Sequence, residues 1–130
     1  MKKIKVLIVD DQESVRQSLK TILQLEDDLE VVGEAKDGVE AVEKTKMLEP
    51  DVVLMDMRMT RADGLSAARG IREHSESVGV VMITMHHSDI AREQALEAGV
   101  DTFVEKGIAM EDLVDAIRRV YGKKRKVGNG

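Results

Sequence analysis

The run Asp51-Val52-Val53-Leu54-Met55-Asp56 decides the fold. Its apolar residues are consecutive rather than alternating, which describes a strand covered on both faces. The carboxylate of Asp56 then stands where that strand leaves the core. Outward from it, Ile4–Val9 is a second such run and ends in the acid pair Asp10-Asp11. Val78–Ile83 is a third and ends beside Thr84, and a weaker one at Thr102–Val104 ends near Lys106. Leu29–Val32 completes the set of strand-length runs.

Between the runs lie segments with helical spacing. Val15, Leu19, Ile22 and Leu23 form one stripe, and Val39, Val42 and Met47 a second. Leu65, Ala68 and Ile71 form a third, preceded by the capping pair Asp63-Gly64, and Ile90, Gln94 and Ala98 a weak fourth. Met110, Leu113, Val114, Ile117 and Tyr121 make the clearest, predicted to stop before Gly122. Pro50 lies where the second helix must already have ended. Gly33, Gly99 and Gly107 are expected in turns or at helix ends. Strand and helix therefore alternate through five units, the pattern of an α/β domain with helices on both faces of a parallel sheet. Such a doubly wound sheet allows the flavodoxin-like (βα)5 strand order 2-1-3-4-5.

The bulk properties fit this reading. A chain of 130 residues suits one domain, here residues 1–122 followed by a basic tail or linker start at 123–130. With 42% hydrophobic and 35% charged residues it has a core, and no apolar run approaches the roughly 20 residues of a membrane helix. No signal peptide is visible and no cysteine is present, so disulfides and thiolate metal sites are excluded and a cytoplasmic location without membrane contact is expected. Four of the 20 basic residues sit together at 123–126, leaving 16 against 25 acids in the body. An acidic body does not fit a nucleic-acid-binding face.

In a sheet of this order, ligands bind beyond the carboxyl ends of the strands at the switch point, between the first and third strands. Asp10, Asp11 and Asp56 converge there. Carboxylates so close resist joint ionisation unless a cation lies among them, and an oxygen-only set completed by water suits Mg2+. Lys106 supplies charge relief and Thr84 a hydroxyl. Taken singly, each has an ordinary explanation: a strand-end Asp is commonly a cap or turn residue, and a strand Thr a β-former. Their joint occurrence, in order at successive strand ends, argues for a site.

The segments VLIVDD (6–11), DVVLMDMRMTRADGL (51–65), VMITMHH (81–87) and FVEK (103–106) resemble the receiver domain of bacterial two-component response regulators over nearly the whole chain. That resemblance implies that Asp56 is the phosphoacceptor, taking a phosphoryl group from a sensor histidine kinase. It implies Mg2+ held by Asp11, Asp56 and the backbone carbonyl of Arg58, with Asp10 acting through water. Lys106 and Thr84 would contact the phosphoryl oxygens, and Thr84 and Phe103 would be the switch pair. A phosphorylation-dependent homodimer is a further expectation. The stretches TMHHSD (84–89) and DLVDAIRRVYGKK (112–124) resemble the NarL/LuxR transcription-regulator subfamily, whose DNA contact is made by a separate output domain.

Some positions depart from the family pattern. Thr60 and Gly107 stand where proline is common, and a trans Lys106–Gly107 bond is expected because a cis one would cost about 2.5–4 kcal/mol. Arg58 and His86, each two residues beyond a site residue, are expected to flank the path of a hydrolytic water and shield the acyl phosphate. A haloacid-dehalogenase-like phosphatase would need an acid where Arg58 stands, and a P-loop nucleotidase needs a GxxxxGK[ST] run that is absent. The expected function is a phosphoacceptor that catalyses only its own phosphorylation and dephosphorylation. The alternative is a stand-alone receiver acting by protein contact.

Overall fold

The structure, a computed structural model, describes residues 2–57, 63–84, 88–108 and 110–129. Strands β1 (Ile4–Val9), β2 (Leu29–Ala35), β3 (Val52–Asp56), β4 (Gly79–Thr84) and β5 (Thr102–Glu105) form one parallel sheet in the order 2-1-3-4-5. They alternate with α1 (Glu13–Leu23), α2 (Gly38–Leu48), α3 (Gly64–His74), α4 (Asp89–Glu97) and α5 (Met110–Asn129). This is the flavodoxin-like arrangement that the alternation predicts.

The unbroken apolar strands are explained by a core on each side. Leu7, Val9, Val53, Met55, Val80 and Met82 pack with Ala41, Ala67, Ala68, Ile71, Ala95 and Ala98 of α2, α3 and the end of α4. Their alternate neighbours Ile4, Val6, Ile8, Val52, Leu54 and Val81 pack with Leu23, Leu113, Val114, Ile117 and Val120 of α1 and α5. Every second residue thus faces a different helix layer. Helices α2, α3 and α4 start on side-chain caps: Asp37, Asp63 and Ser88 accept from the N–H groups of Glu40, Ser66 and Ala91 at 2.8, 2.8 and 3.1 Å. No described helix is long and apolar enough to cross a membrane.

Four expectations are corrected. Gly33 is not in a turn but inside β2, where the register slips: Val6 pairs with Val31 and Leu7 with Gly33, leaving Val32 as an extra residue. β2 lies at the sheet edge, where bulges are easiest to accommodate. Met47 does not join the buried face of α2; it is 74% exposed, and Ala41 and Thr45 are buried instead. Ile90 and Gln94 do not form the core face of α4, since Ile90 is 71% exposed and the contact is made by Ala95 and Ala98. In α4 the residues that meet the core are thus small, whereas in α2 Val42 and Leu48 pack there as well. Finally, α5 does not stop before Gly122. Lys124 Nζ reaches Asp101 Oδ1 at 2.9 Å and the carbonyl of Glu76 at 3.1 Å. Arg125 donates to Tyr121 Oη at 3.2 Å, its guanidinium 5.5 Å from the ring centroid. These contacts offset the roughly 1 kcal/mol that glycine costs a helix interior.

Candidate functional site

Val9 pairs with Met55, so the next residues, Asp10 and Asp56, come level at the ends of neighbouring strands. Asp56 pairs with Ile83, one residue before Thr84, and Thr84 pairs with Glu105, one residue before Lys106. Sheet register alone therefore delivers an acid, a second acid, a hydroxyl and an ammonium to one rim. Asp10, Asp56 and Thr84 are buried at 3, 6 and 5% exposure, unusual for polar side chains at a strand end. Asp11 is half-buried beside them.

Asp10, Asp11 and Asp56 each bring a carboxylate oxygen within 4.8 Å of the others. Lys106 Nζ donates to Asp56 Oδ2 at 3.0 Å, and the Lys106 N–H donates to the Thr84 carbonyl at 2.7 Å, fixing the root of that side chain to β4. Burial is the main influence that raises the Asp10 carboxyl above its usual range, and the charge of neighbouring Asp56 adds to it. The Gln12 N–H, which donates to Asp10 Oδ1 at 2.9 Å, and the Lys106 ammonium act in the opposite direction. With three carboxylates this close, an added cation relieves their mutual repulsion. The set is all oxygen, compact and partly open through Asp11, which fits a small hard cation such as Mg2+ completing its shell with water.

The chain following Asp56 is held close to the rim. The Gly64 N–H donates to the Met57 carbonyl at 3.0 Å. A Cβ on Gly64 would lie 2.8 Å from the Asp56 carbonyl oxygen and 2.9 Å from Met57 Cα, so only glycine permits α3 to begin there. After Lys106, Gly107 adopts φ +92° across a trans bond. Proline, fixed near −65°, cannot take that conformation, which accounts for glycine where proline is common. Phe103, paired with Met82, is half-buried against the core layer of α2 and α3.

Asp10, Asp11, Asp56 and Lys106 are thus brought together as expected, with Thr84 on the same rim. Arg58, Thr60 and His86 lie outside the described residues. One residue beside the site escaped the sequence reading. Arg16, in the first turns of α1, donates through Nη1 to the Asp10 carbonyl at 2.7 Å and through Nε to Glu34 Oε1 at 3.1 Å. The available signal was its place next to the Val15–Leu19 stripe, where a long cation cannot point wholly into solvent.

A family model for the response regulator receiver domain matches residues 6–118. The chain is 39% identical over 121 residues to the response regulator protein VraR of Staphylococcus saprophyticus, a match covering 93% of this chain and 58% of that protein. The chain therefore spans somewhat more than half the length of that relative. Its structure is similar, with a TM-score of 0.89 at 29% identity, to a two-component response regulator of the LuxR family from Aurantimonas, covering 93% of this chain and 86% of that one. It is also similar to a chain of the CheX–CheY–BeF3–Mg2+ complex of Borrelia burgdorferi, with a TM-score of 0.83 at 28% identity over 91% and 89% of the two chains. The family match runs from Val6 in the first strand to Arg118 in the last helix. It takes in every acid of the rim together with Thr84 and Lys106, and the chain belongs to the family of response regulator receiver domains.

Proposed function

We propose that Asp56 accepts a phosphoryl group from a phosphohistidine of a sensor histidine kinase, and that the event changes an output surface. The observation that carries this reading is the closure of Asp10, Asp11 and Lys106 around a buried Asp56 at the switch point of the sheet. An Asp56 carboxylate oxygen forms a P–O bond as the P–N bond of the donor breaks, and the departing imidazole keeps its electron pair and takes up a proton from solvent. Asp11 and Asp56 would hold Mg2+, together with the Arg58 carbonyl and, through water, Asp10. Bound there, the ion neutralises charge on the transferring group. Lys106, already 3.0 Å from Asp56 Oδ2, stays within reach of the oxygens that arrive on that side. Burial of Asp56 excludes bulk water and strengthens each of these interactions. Arg58 and His86 shield the product from hydrolysis.

Thr84 and Phe103 carry the change outward: the hydroxyl moves to a phosphoryl oxygen and the ring follows into the space released. Moving such a switch from about 1% to about 99% active needs roughly 5.5 kcal/mol of differential stabilisation. A doubly charged group held by Lys106 and Thr84 beside a divalent ion is a source of that size.

The unit extends past residue 122, because Lys124 of α5 is held by Asp101 and Glu76, and its output is transcriptional, through a separate DNA-binding domain. The likeness to a LuxR-family regulator and the 58% share of VraR support this. Phosphorylation favours a homodimer, tested by light scattering with and without beryllofluoride.

The decisive experiment is phosphorylation by a small acyl phosphate, followed by intact mass. The wild-type chain is expected to gain one phosphoryl group in Mg2+ and none in chelator, and Asp56→Asn none in either. Labelling of Asp56→Asn at the wild-type rate would overturn the proposal.

A further inference from the structure

We propose that Arg16 is a positioning residue for the acidic cluster: it fixes the plane of the Asp10–Asp11 peptide, and with it the direction in which both carboxylates meet a divalent cation. The inference rests on the metal-binding reading above.

Asp10 is gripped at both ends of its main chain. Its N–H donates to the Ala35 carbonyl of β2 at 3.1 Å, and its carbonyl accepts from Arg16 Nη1 at 2.7 Å. The Arg16 fork is itself anchored, because Nε donates to Glu34 Oε1 at 3.1 Å, on the residue preceding Ala35. Glu34 is held in turn by Lys20, with Nζ 3.8 Å from Oε2, and its main-chain carbonyl accepts from Lys44 Nζ. The Arg16 side chain is only 15% exposed, so little of this bonding is shared with bulk water. Since the Asp10 carbonyl and the Asp11 N–H belong to one rigid peptide plane, holding the carbonyl also sets where the Asp11 side chain starts. Among the second partners of metal ligands, such groups commonly govern affinity by about 10- to 100-fold.

Two roles can be separated by the sign of the effect. Were Arg16 merely a nearby positive charge, removing it would relieve repulsion and tighten Mg2+ binding. As a positioning group, its loss loosens binding. The planar fork matters as well, since an ammonium cannot bridge the Asp10 carbonyl and Glu34 in the same geometry.

The test is calorimetric titration of Mg2+ into the full chain and its Arg16→Met, Arg16→Lys and Arg118→Met variants, with the metal-free Asp11 and Gln12 amide shifts recorded by NMR. Arg118→Met removes another forked contact, to Asp28, on the far side of the domain. The expected result is about tenfold weaker Mg2+ binding in Arg16→Met, an intermediate loss in Arg16→Lys, displaced Asp11 and Gln12 amides in both, and wild-type affinity in Arg118→Met. Unchanged or tighter binding in Arg16→Met, or full retention in Arg16→Lys, overturns the inference while leaving the metal reading intact. A comparable loss in Arg118→Met would show general loosening of the fold and also overturn it. A wild-type chain that takes up no Mg2+ would defeat the metal reading first and this inference with it.

Discussion

At the base of the sheet, beneath the starts of β4 and β5, Arg72 donates to the carbonyls of Ser75, Glu76, Val78 and Gly99 and to Asp101 Oδ2, over 2.7–3.1 Å. Asp101 also accepts from the Val80 N–H at 2.8 Å and pairs with Lys124 at 2.9 Å. At the opposite rim, Asp10, Asp11 and Asp56 crowd together with one ammonium in hydrogen-bonding contact. Both ends carry charge at low exposure, yet the base joins opposite charges to several partners each, whereas the rim sets three carboxylates side by side. The base uses charge to tie α3, β4, β5 and α5 into one body. The rim holds acids whose mutual repulsion a cation can relieve. The cross-linked base and the acidic cluster thus stand at opposite ends of the same strands.

The sharpest way to break this contrast is at the base. Arg72→Met strips hydrogen bonds from several partly buried carbonyls at once and is expected to destabilise the fold by about 2–4 kcal/mol in urea unfolding. Mg2+ affinity of the folded fraction should be unaltered, and a large change there would mean that the two ends are not separable.

Next in size is Asp10→Asn, which should act in the reverse direction. Burial and Asp56 raise the Asp10 carboxyl, so the metal-free fold binds more protons than the unfolded chain, and stability falls as pH rises from about 3.9 through the folded value. Removing that charge is expected to raise the melting temperature of the metal-free protein by a few degrees at neutral pH, the gain vanishing below pH about 4. Mg2+ should stabilise the wild type and do so much less for the variant. A variant less stable than wild type in chelator would refute the picture of a buried acid raised by its neighbour at the rim.

The smallest effect belongs to Asp28, near the base, where Arg118 donates to both carboxylate oxygens at 2.8 and 2.9 Å. The Arg118 hydrogen bond holds the Asp28 carboxyl below its usual range, so its contribution is present above pH about 3.9 and lost as pH falls through the depressed value. Because the pair is 40 and 37% exposed, Asp28→Asn should cost only about 0.2–1 kcal/mol, less in high salt. A cost above about 2 kcal/mol would place this pair with the Arg72 cluster rather than among solvated surface pairs.

The acidic rim was legible in the sequence because its residues are strand-end residues, and their convergence follows from strand order alone. Asp10, Asp56, Thr84 and Lys106 needed no tertiary detail beyond the sheet. What escaped depends on contacts between segments far apart in the chain. Arg16 finds Glu34 only after β2 is laid beside β1, and the bulge at Val32 exists only as a mismatch between two strands. Gly122 reads as a stop, but the partners of Lys124 are Asp101 and Glu76, on the opposite side of two loops. In α2 and α4 the periodic large residues, Met47 and Ile90, misled because the core is met instead by Ala41, Val42 and Leu48 in the first and by Ala95 and Ala98 in the second.

That last substitution of small for large bears on motion. Helix α5 presses Leu113, Val114, Ile117 and Val120 into the core, each worth roughly 1.5–3 kcal/mol of apolar burial. Helix α4 and its C-terminal residue offer only the methyls of Ala95 and Ala98, at about 0.8 kcal/mol per carbon-sized group. Adhesion of α4 is therefore shallow along its whole length, and a shift of an ångström or two exposes little that water penalises. Of the two helices, α5 is thus the anchor and α4 the one displaced at lower cost.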